Sequence, residues 1–488
     1  KREFEDVPLP GEAFPHDHAK LPAEIPQTGD RGIRLADVVN GKNTLEEFTA
    51  QLTDYDLSCI IRGEGMGSPK VTAGTAAAFG GVSDTLTALG IPCACCDDGP
   101  SGMRLDCGTK AFSLPNGTLL ASTFDRPLMT ELFTFMGLEM HTNQVDCLLG
   151  PGMNIHRHPL NGRNFEYFSE DPYLTGEMAS AELAGLHSTG AEGTIKHFCG
   201  NNRETRRHFL DSVISERALR EIYLRGFEKA VKKGGAKSVM TTYGQVNGVW
   251  TAGNYDLVTG ILRDDWGFDG FTMTDWWANI NRRGKAPDKS DFAAMAMAQN
   301  DVYMVTADGA ACNDNTLDSL KSGELTRGEL QRNAMNILRF LTTTHAMKRV
   351  MGCDDETEII NRPADAGDVD STDIEFHDID EDLTLDLTGI TTEKGSSYAF
   401  GLNVSKPGVY KVTLTASSTL SELAQTSVSI FALGSPCGMF TFNGTGGAPV
   451  SQTKDVKFLS NFMPIRLYFG GSGLKTQSIR FELKERWT

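Results

Sequence analysis

The chain has 488 residues, enough for two or three domains, with 46 basic and 64 acidic side chains and a net charge of −18. A surface that acidic repels nucleic acid and anionic membranes and suits neutral partners. Apolar residues make up 40%, an ordinary share for a chain that buries a large core, and no apolar run is long enough to span a membrane.

Residues 1–35 are rich in Pro, Gly and charge and read as an extended connector. The first residue is Lys1 rather than Met, which reads as a processed or partial chain. From 36 to 350, short apolar runs alternate with amphipathic helical patterns. The runs are LSCII (57–61), IPCACC (91–96), VDCLLG (145–150), TIKHF (194–198), SVMTTY (238–243), FTMTD (271–275) and DVYMV (301–305). A helix is predicted over 215–233, with Ser215 as N-cap and Ala218, Leu219, Ile222, Tyr223 and Phe227 at helical spacing. Such alternation implies a parallel sheet, and the length suits a TIM-like (β/α)-barrel, with an open doubly wound sheet as the competitor. GEGMGSPK (63–70) lacks phosphate-loop spacing and reads as a barrel loop. Cys93, Cys95 and Cys96 crowd one run without zinc spacing; they read as small buried hydrophobes, which favours a reducing, cytoplasmic setting. Residues 351–372 form an acidic linker, and 373–488 turn to period-two alternation, as in GVYKVTLTAS, TSVSIFAL and QSIRFEL. That pattern predicts a C-terminal antiparallel β-sandwich, so the fold class is α/β plus all-β.

Barrel chemistry is built at the carboxyl ends of strands, and the polar residues of this sequence collect there. Asp98, Lys196-His197, Tyr243 and Asp275-Trp276-Trp277 each close or follow an apolar run, and the run at 145–150 leads into PGMNIHRHPLNGRNFEYFSEDP. Carboxylates and cations bind sugar hydroxyls through strong directional hydrogen bonds, and aromatic rings pack on sugar C–H faces. A strand-end carboxylate can attack an anomeric carbon. Taken singly, each residue has a plainer reading. Asp275 could cap a loop, Lys196-His197 could be a surface pair, Arg163 and Glu166 could form a structural ion pair, and Trp276 or Trp277 could be core. His156 and His158 could ligate a metal, but no convincing third ligand accompanies them.

These residues in this order resemble glycoside hydrolase family 3, on DGPSGMR (98–104), GPGMNIHRHPLNGRNFEYFSEDPYL (150–174), KHFCGNNRETRRH (196–208), SERALREIYLRGFEKAV (215–231), VMTTYGQVNG (239–248) and GFTMTDWW (270–277). The resemblance implies a (β/α)-barrel and a retaining, exo-acting mechanism on β-linked glucosides. Asp275 matches the nucleophile, held ionised by Lys196 or Arg163. Asp98, Arg163, Lys196 and His197 match residues that bind the terminal sugar. Tyr243 matches the tyrosine beside the nucleophile, Met240 a pocket-lining position, Trp276 the aromatic after the nucleophile, and Arg104 a structural position. KHFCGNN is similar to the β-glucosidase-like branch rather than the N-acetylglucosaminidase branch with KHFPGHG, whose loop His is the acid/base.

In the β-glucosidase-like branch the acid/base Glu comes from a second α/β domain that usually follows the barrel, and no such pattern follows here. Some family members are permuted, so the acid/base is expected outside this chain, on an N-terminal companion fragment or chain. A carboxylate of the C-terminal sandwich is the alternative. The resemblance implies no cofactor and no metal. A transglycosylase, a β-xylosidase, or a chain inactive without its partner stay open as alternatives. The last domain weakly resembles carbohydrate-binding β-sandwiches, with a structural or interface role equally open.

Overall fold

Eight short strands make the first sheet: β1 (Arg62–Gly65), β2 (Ala77–Gly80), β3 (Cys93–Asp98), β4 (Cys147–Leu149), β5 (Glu192–Phe198), β6 (Ser238–Thr241), β7 (Phe271–Met273) and β8 (Tyr303–Thr306). They belong to a computed structural model that describes residues 21–66, 68, 70–72, 74–105, 111–281, 286–355, 357, 374–432 and 435–486. The strands are hydrogen-bonded in the order β7-β6-β5-β4-β3-β2-β1-β8. The two ends of that order meet, because Met273 bridges Val302 in parallel and the Thr274 N–H donates to the Val302 carbonyl at 2.9 Å. The sheet is therefore barrel-like rather than open. Strands β4, β5, β6 and β7 are buried along their whole length, which is why they read as apolar runs rather than alternating ones.

The expected all-parallel barrel needs one correction. Strand β2 runs antiparallel to β3, pairing Ala77 with Cys96 and Gly80 with Cys93. A parallel crossover needs a dozen or more residues and usually a helix. Between β1 and β2 lies only the connection 66–76, in which no helix is described.

The first strand was also misplaced. LSCII is largely helix, because Thr53 caps Asp54–Ile60 through a reciprocal capping box with Asp56. The strand is RGEG, which overlaps the start of the stretch expected to be a loop. It carries no apolar run because its inward groups are polar and paired. Arg62 is 1% exposed, and its Nε donates to Asp314 at 2.8 Å. Glu64 accepts the Gly309 N–H at 3.1 Å.

Helices cover the barrel in the expected manner. Ser215 does cap its helix, accepting the Ala218 N–H. A wider π-helical stretch over Leu219–Tyr223 then interrupts the α-helical register. That turn leaves Ile222 42% exposed, although Leu219 and Phe227 are buried as the spacing predicts. Phe79 of β2, Phe271 of β7 and Phe340 of the helix Arg327–Leu341 pack together at centroid distances of 4.6 to 6.0 Å. Residues 21–34 carry no helix or strand, and Gln331 of the same helix exchanges two hydrogen bonds with the Ile25 backbone. Asp354, inside the expected linker, is hydrogen-bonded to His141 and His345 of the barrel helices; residues 358–372 lie outside the described residues.

The chain divides into two compact units. One takes its described residues from Lys1–Glu64, Ala77–Met103 and Phe112–Glu358, the other from Gly65–Ala76, Arg104–Ala111 and Ile359–Thr488. The second unit is built on two sheets. One holds β9 (Phe376–Ile379), β11 (Ser397–Val404), β13 (Gln425–Ala432), β14 (Ser435–Asn443) and β16 (Phe462–Phe469), and the other β10 (Asp382–Asp386), β12 (Gly408–Ser418), β15 (Val450–Phe458) and β17 (Leu474–Arg486). Alternation along β12 buries Tyr410, Val412, Leu414 and Ala416, as GVYKVTLTAS predicts. Tyr410 stacks on Phe458 at 4.6 Å within the shared core. The sheets are not wholly antiparallel: β9 pairs with β11 in parallel. No helix among the described residues is long and apolar enough to cross a membrane, and the nine described cysteines are free thiols.

The Arg62–Asp314 pair holds the first strand in place, and its charges sit where water cannot replace a lost partner. Arg62→Met should cost about 3–5 kcal/mol in urea unfolding by stranding Asp314, whose side chain is 4% exposed. The double variant Arg62→Met/Asp314→Leu should recover most of the loss. A single variant as stable as the parent chain would contradict this account of β1.

Candidate active site

The irregular segment after β4 builds much of the site. Its backbone continues alongside β5, with the Met153 N–H donating to the Lys196 carbonyl at 2.7 Å. Asn154 then grips His197 at both ends of its amide, accepting from the His197 N–H and donating to the His197 carbonyl, each at 2.9 Å. One 3₁₀ turn, Asn164–Glu166, turns Glu166 inward, where it pairs with Arg163.

Lys196 is 2% exposed. A buried ammonium needs compensating charge, and two carboxylates supply it. The Nζ donates to Asp98 Oδ1 at 2.9 Å and lies 3.9 Å from Glu166 Oε2. Asp98, at the end of β3, keeps 40% of its side chain exposed. It can therefore still accept a hydroxyl from a bound molecule.

Asp275 follows β7 and is 6% exposed. Its Oδ1 accepts the Trp276 N–H at 2.8 Å, while Oδ2 is buried with no hydrogen-bond donor in place. His197 Nε2 stands 3.7 Å from Oδ2. Burial raises the Asp275 pKa above the ordinary carboxylate value, opposed by Arg163, the Trp276 N–H, Lys196 and the Tyr243 side chain. Arg163 and Lys196 both favour the ionised form, the direction the sequence expectation gave them, while desolvation opposes them and leaves the pKa raised.

His197 is held neutral. Burial, together with the charges of Arg163, Lys196 and Arg207, pushes its pKa well below the usual histidine value. A relay fixes the ring: Asn201 Nδ2 donates to the Tyr167 hydroxyl at 3.0 Å, and that hydroxyl lies 3.1 Å from His197 Nδ1. If the hydroxyl proton points to Nδ1, the ring hydrogen falls on Nε2, facing Asp275. Tyr243 is 6% exposed, and its pKa is raised by burial and by Asp275, so it stays a neutral phenol. The Arg207 guanidinium lies 4.5 Å over its ring and His208 packs at 4.2 Å.

Asp98, Arg163, Lys196, His197, Tyr243 and Asp275 therefore form one connected group. Met240 is 1% exposed in β6, level with Met273 of β7. Trp276 is half-buried, whereas Trp277 is 40% exposed with φ of 55°. Glu166 does pair with Arg163, as its structural reading supposed. Reasoning from sequence did not single out Asn154, Tyr167, Asn201 or Arg207, although the motif segments contain all four. Their spacing carries no signal, since each acts through the strand-end residues.

His156 and His158 join no metal-sized cluster among the described residues. His141, His345 and Asp354 do come within 4.8 Å of one another. Their atoms are engaged, with His345 Nδ1 2.6 Å from Asp354 and Nε2 2.7 Å from the Thr189 carbonyl. The two rings stack at 3.9 Å, which does not aim both at one ion.

A strand-end carboxylate, two cations, a neutral histidine and a tyrosine are thus brought together from the motif segments. The model of the glycosyl hydrolase family 3 N-terminal domain matches residues 30–340. The chain belongs to glycoside hydrolase family 3. A β-glucosidase of Ruminococcus albus is 62% identical over 481 residues, covering 96% of this chain and 51% of that protein. The solved β-glucosidase of Paenibacillus barengoltzii is 45% identical with a TM-score of 0.67, covering 95% of this chain and 50% of that one. β-Glucosidase 3B of Thermotoga neapolitana, solved with α-D-glucose, is 36% identical with a TM-score of 0.58, over 65% of this chain and 44% of that one. This family 3 chain thus spans about half the length of its relatives.

Burial of Asp275 has a consequence for stability with a definite sign. Below the unfolded carboxylate value of 3.8 both states are protonated and burial costs little. As pH rises through the raised folded value, the folded state must ionise a buried group and stability is lost. Asp275→Asn should therefore raise Tm at pH 7 by about 1–3 °C, with the gain vanishing near pH 3.5. A variant less stable than the parent chain at pH 7 would contradict the raised pKa.

Proposed function

We propose that this chain is the nucleophile-bearing part of an exo-acting, retaining β-glucosidase. The observation that carries the reading is Asp275 Oδ2, buried without a donor and facing His197 Nε2 at 3.7 Å. Asp98, Lys196, Arg163 and His197 hold the hydroxyls of the terminal glucose, and Trp276 flanks the sugar as an apolar wall. Met240 backs the pocket. Asp275 bonds to C1 as the C1–O bond to the leaving group breaks, and an external acid protonates the departing oxygen. Water, deprotonated by the same group, then attacks C1 and releases glucose with retained configuration. Tyr243 donates its hydroxyl toward Asp275 and steadies it between the two steps.

The acid/base is proposed to lie on the polypeptide that makes up the other half of the relatives' length, as a companion fragment or chain. Two observations support this. The chain covers only 51% of its Ruminococcus albus relative. The site's other carboxylates are engaged as well, Glu166 with Arg163 and Asp98 with Lys196. A carboxylate held by cations is a poor proton donor.

Proton NMR during hydrolysis of cellobiose tests the proposal, with this chain alone and joined to that other half. The joined protein should release β-glucose first, with the α-anomer following only by mutarotation. This chain alone should leave cellobiose intact. First release of α-glucose, or full hydrolysis by this chain alone, would overturn the mechanism or the need for a companion, respectively.

A further inference from the structure

We propose that Cys312 and Cys59 form a peroxide-reactive dithiol site, with Cys312 as the attacking sulfur and Cys59 as the resolving one. The geometry is specific. The two Sγ atoms lie 3.8 Å apart across 253 residues of sequence. Arg62 Nη1 is 3.3 Å from the Cys312 sulfur, and the Ser58 hydroxyl is 3.1 Å away. A guanidinium donating to one sulfur favours its thiolate, the nucleophilic form. The cation is fixed in place, because Arg62 is 1% exposed and locked to Asp314. Cys312 is half-buried and within reach of a small oxidant, while Cys59 is fully buried beneath it. Cys312 also sits at φ of 52°, a backbone region uncommon for a residue with a side chain.

Electrostatics separate this pair from the other cysteines. The Cys312 thiol is pulled down to about 6, first by the Cys59 hydrogen bond and further by Ser58 and Arg62. Burial instead pushes Cys199 up to about 12, and Cys96 and Cys147 well above the ordinary thiol value. Those thiols are packing residues and chemically inert.

The reaction balances with a peroxide as the named oxidant. The Cys312 thiolate attacks one peroxide oxygen, the O–O bond breaks, and the departing oxygen takes a proton to leave as water or alcohol. Cys312 is then a sulfenic acid. The Cys59 sulfur attacks it, an S–S bond forms, the S–O bond breaks, and the hydroxyl leaves with the Cys59 proton as water. The product ties the helix Asp54–Ile60 to the segment that follows β8.

The test uses the folded chain, treated with dilute hydrogen peroxide, quenched with N-ethylmaleimide and mapped by non-reducing peptide mass spectrometry. The Cys59–Cys312 cross-link should be the main product. Cys59→Ser should replace it with a dimedone-reactive sulfenic acid on Cys312, and Cys312→Ser should leave Cys59 as a thiol. With iodoacetamide at neutral pH, Cys312 should alkylate about 10-fold faster than the exposed Cys353. Absence of the cross-link, or oxidation of Cys353 as fast as Cys312, would overturn the proposal.

Discussion

The site depends on holding a carboxylate and a lysine out of water within one small volume. Asp275 and Lys196 are both nearly inaccessible, and an isolated charge there would cost several kcal/mol. The chain offsets that cost with a chain of alternating charges. Asp98 and Glu166 face Lys196, Arg163 faces Glu166, and Arg163 and Lys196 together act on Asp275. The balance is incomplete by design of the geometry: Asp275 keeps one oxygen without a donor. A residual cost of this kind is in line with the usual trade between stability and activity.

The barrel exists to bring these groups together. They come from several strand ends and from the segment after β4, so Asp98 and Lys196 lie 98 residues apart in sequence while their side chains meet at 2.9 Å. Closure of the sheet between β7 and β8 fixes the direction in which Asp275 projects. The Thr274 hydroxyl, one residue away, accepts the Met304 N–H at 2.8 Å, so the loop that carries Asp275 is stitched across that seam.

Much of this was legible in the sequence because buried strands leave apolar runs and polar residues stand out at their ends. Asp98, Lys196, His197, Tyr243 and Asp275 were found that way, and the family motifs gave each a role. What was not legible follows a common physical reason. Strand β1 carries Arg62 and Glu64, and partners that include Asp314 and the Gly309 N–H, about 250 residues away, make them tolerable inside. The reversal of β2 turns on a connection too short to hold a crossover helix. Asn154, Tyr167 and Asn201 work through His197 from irregular backbone, where no periodicity marks them. Ile222 was misassigned because a π turn shifts the helical register.

In the proposed mechanism a carboxylate oxygen of Asp275 bonds to the sugar. A 2-deoxy-2-fluoro glucoside with a good leaving group should trap that bond, since such a substrate needs little acid assistance and can react with this chain alone. Peptide mass spectrometry after inactivation should place the fluoroglucosyl adduct on Asp275. An adduct on any other residue, with Asp275 unmodified, would contradict the account.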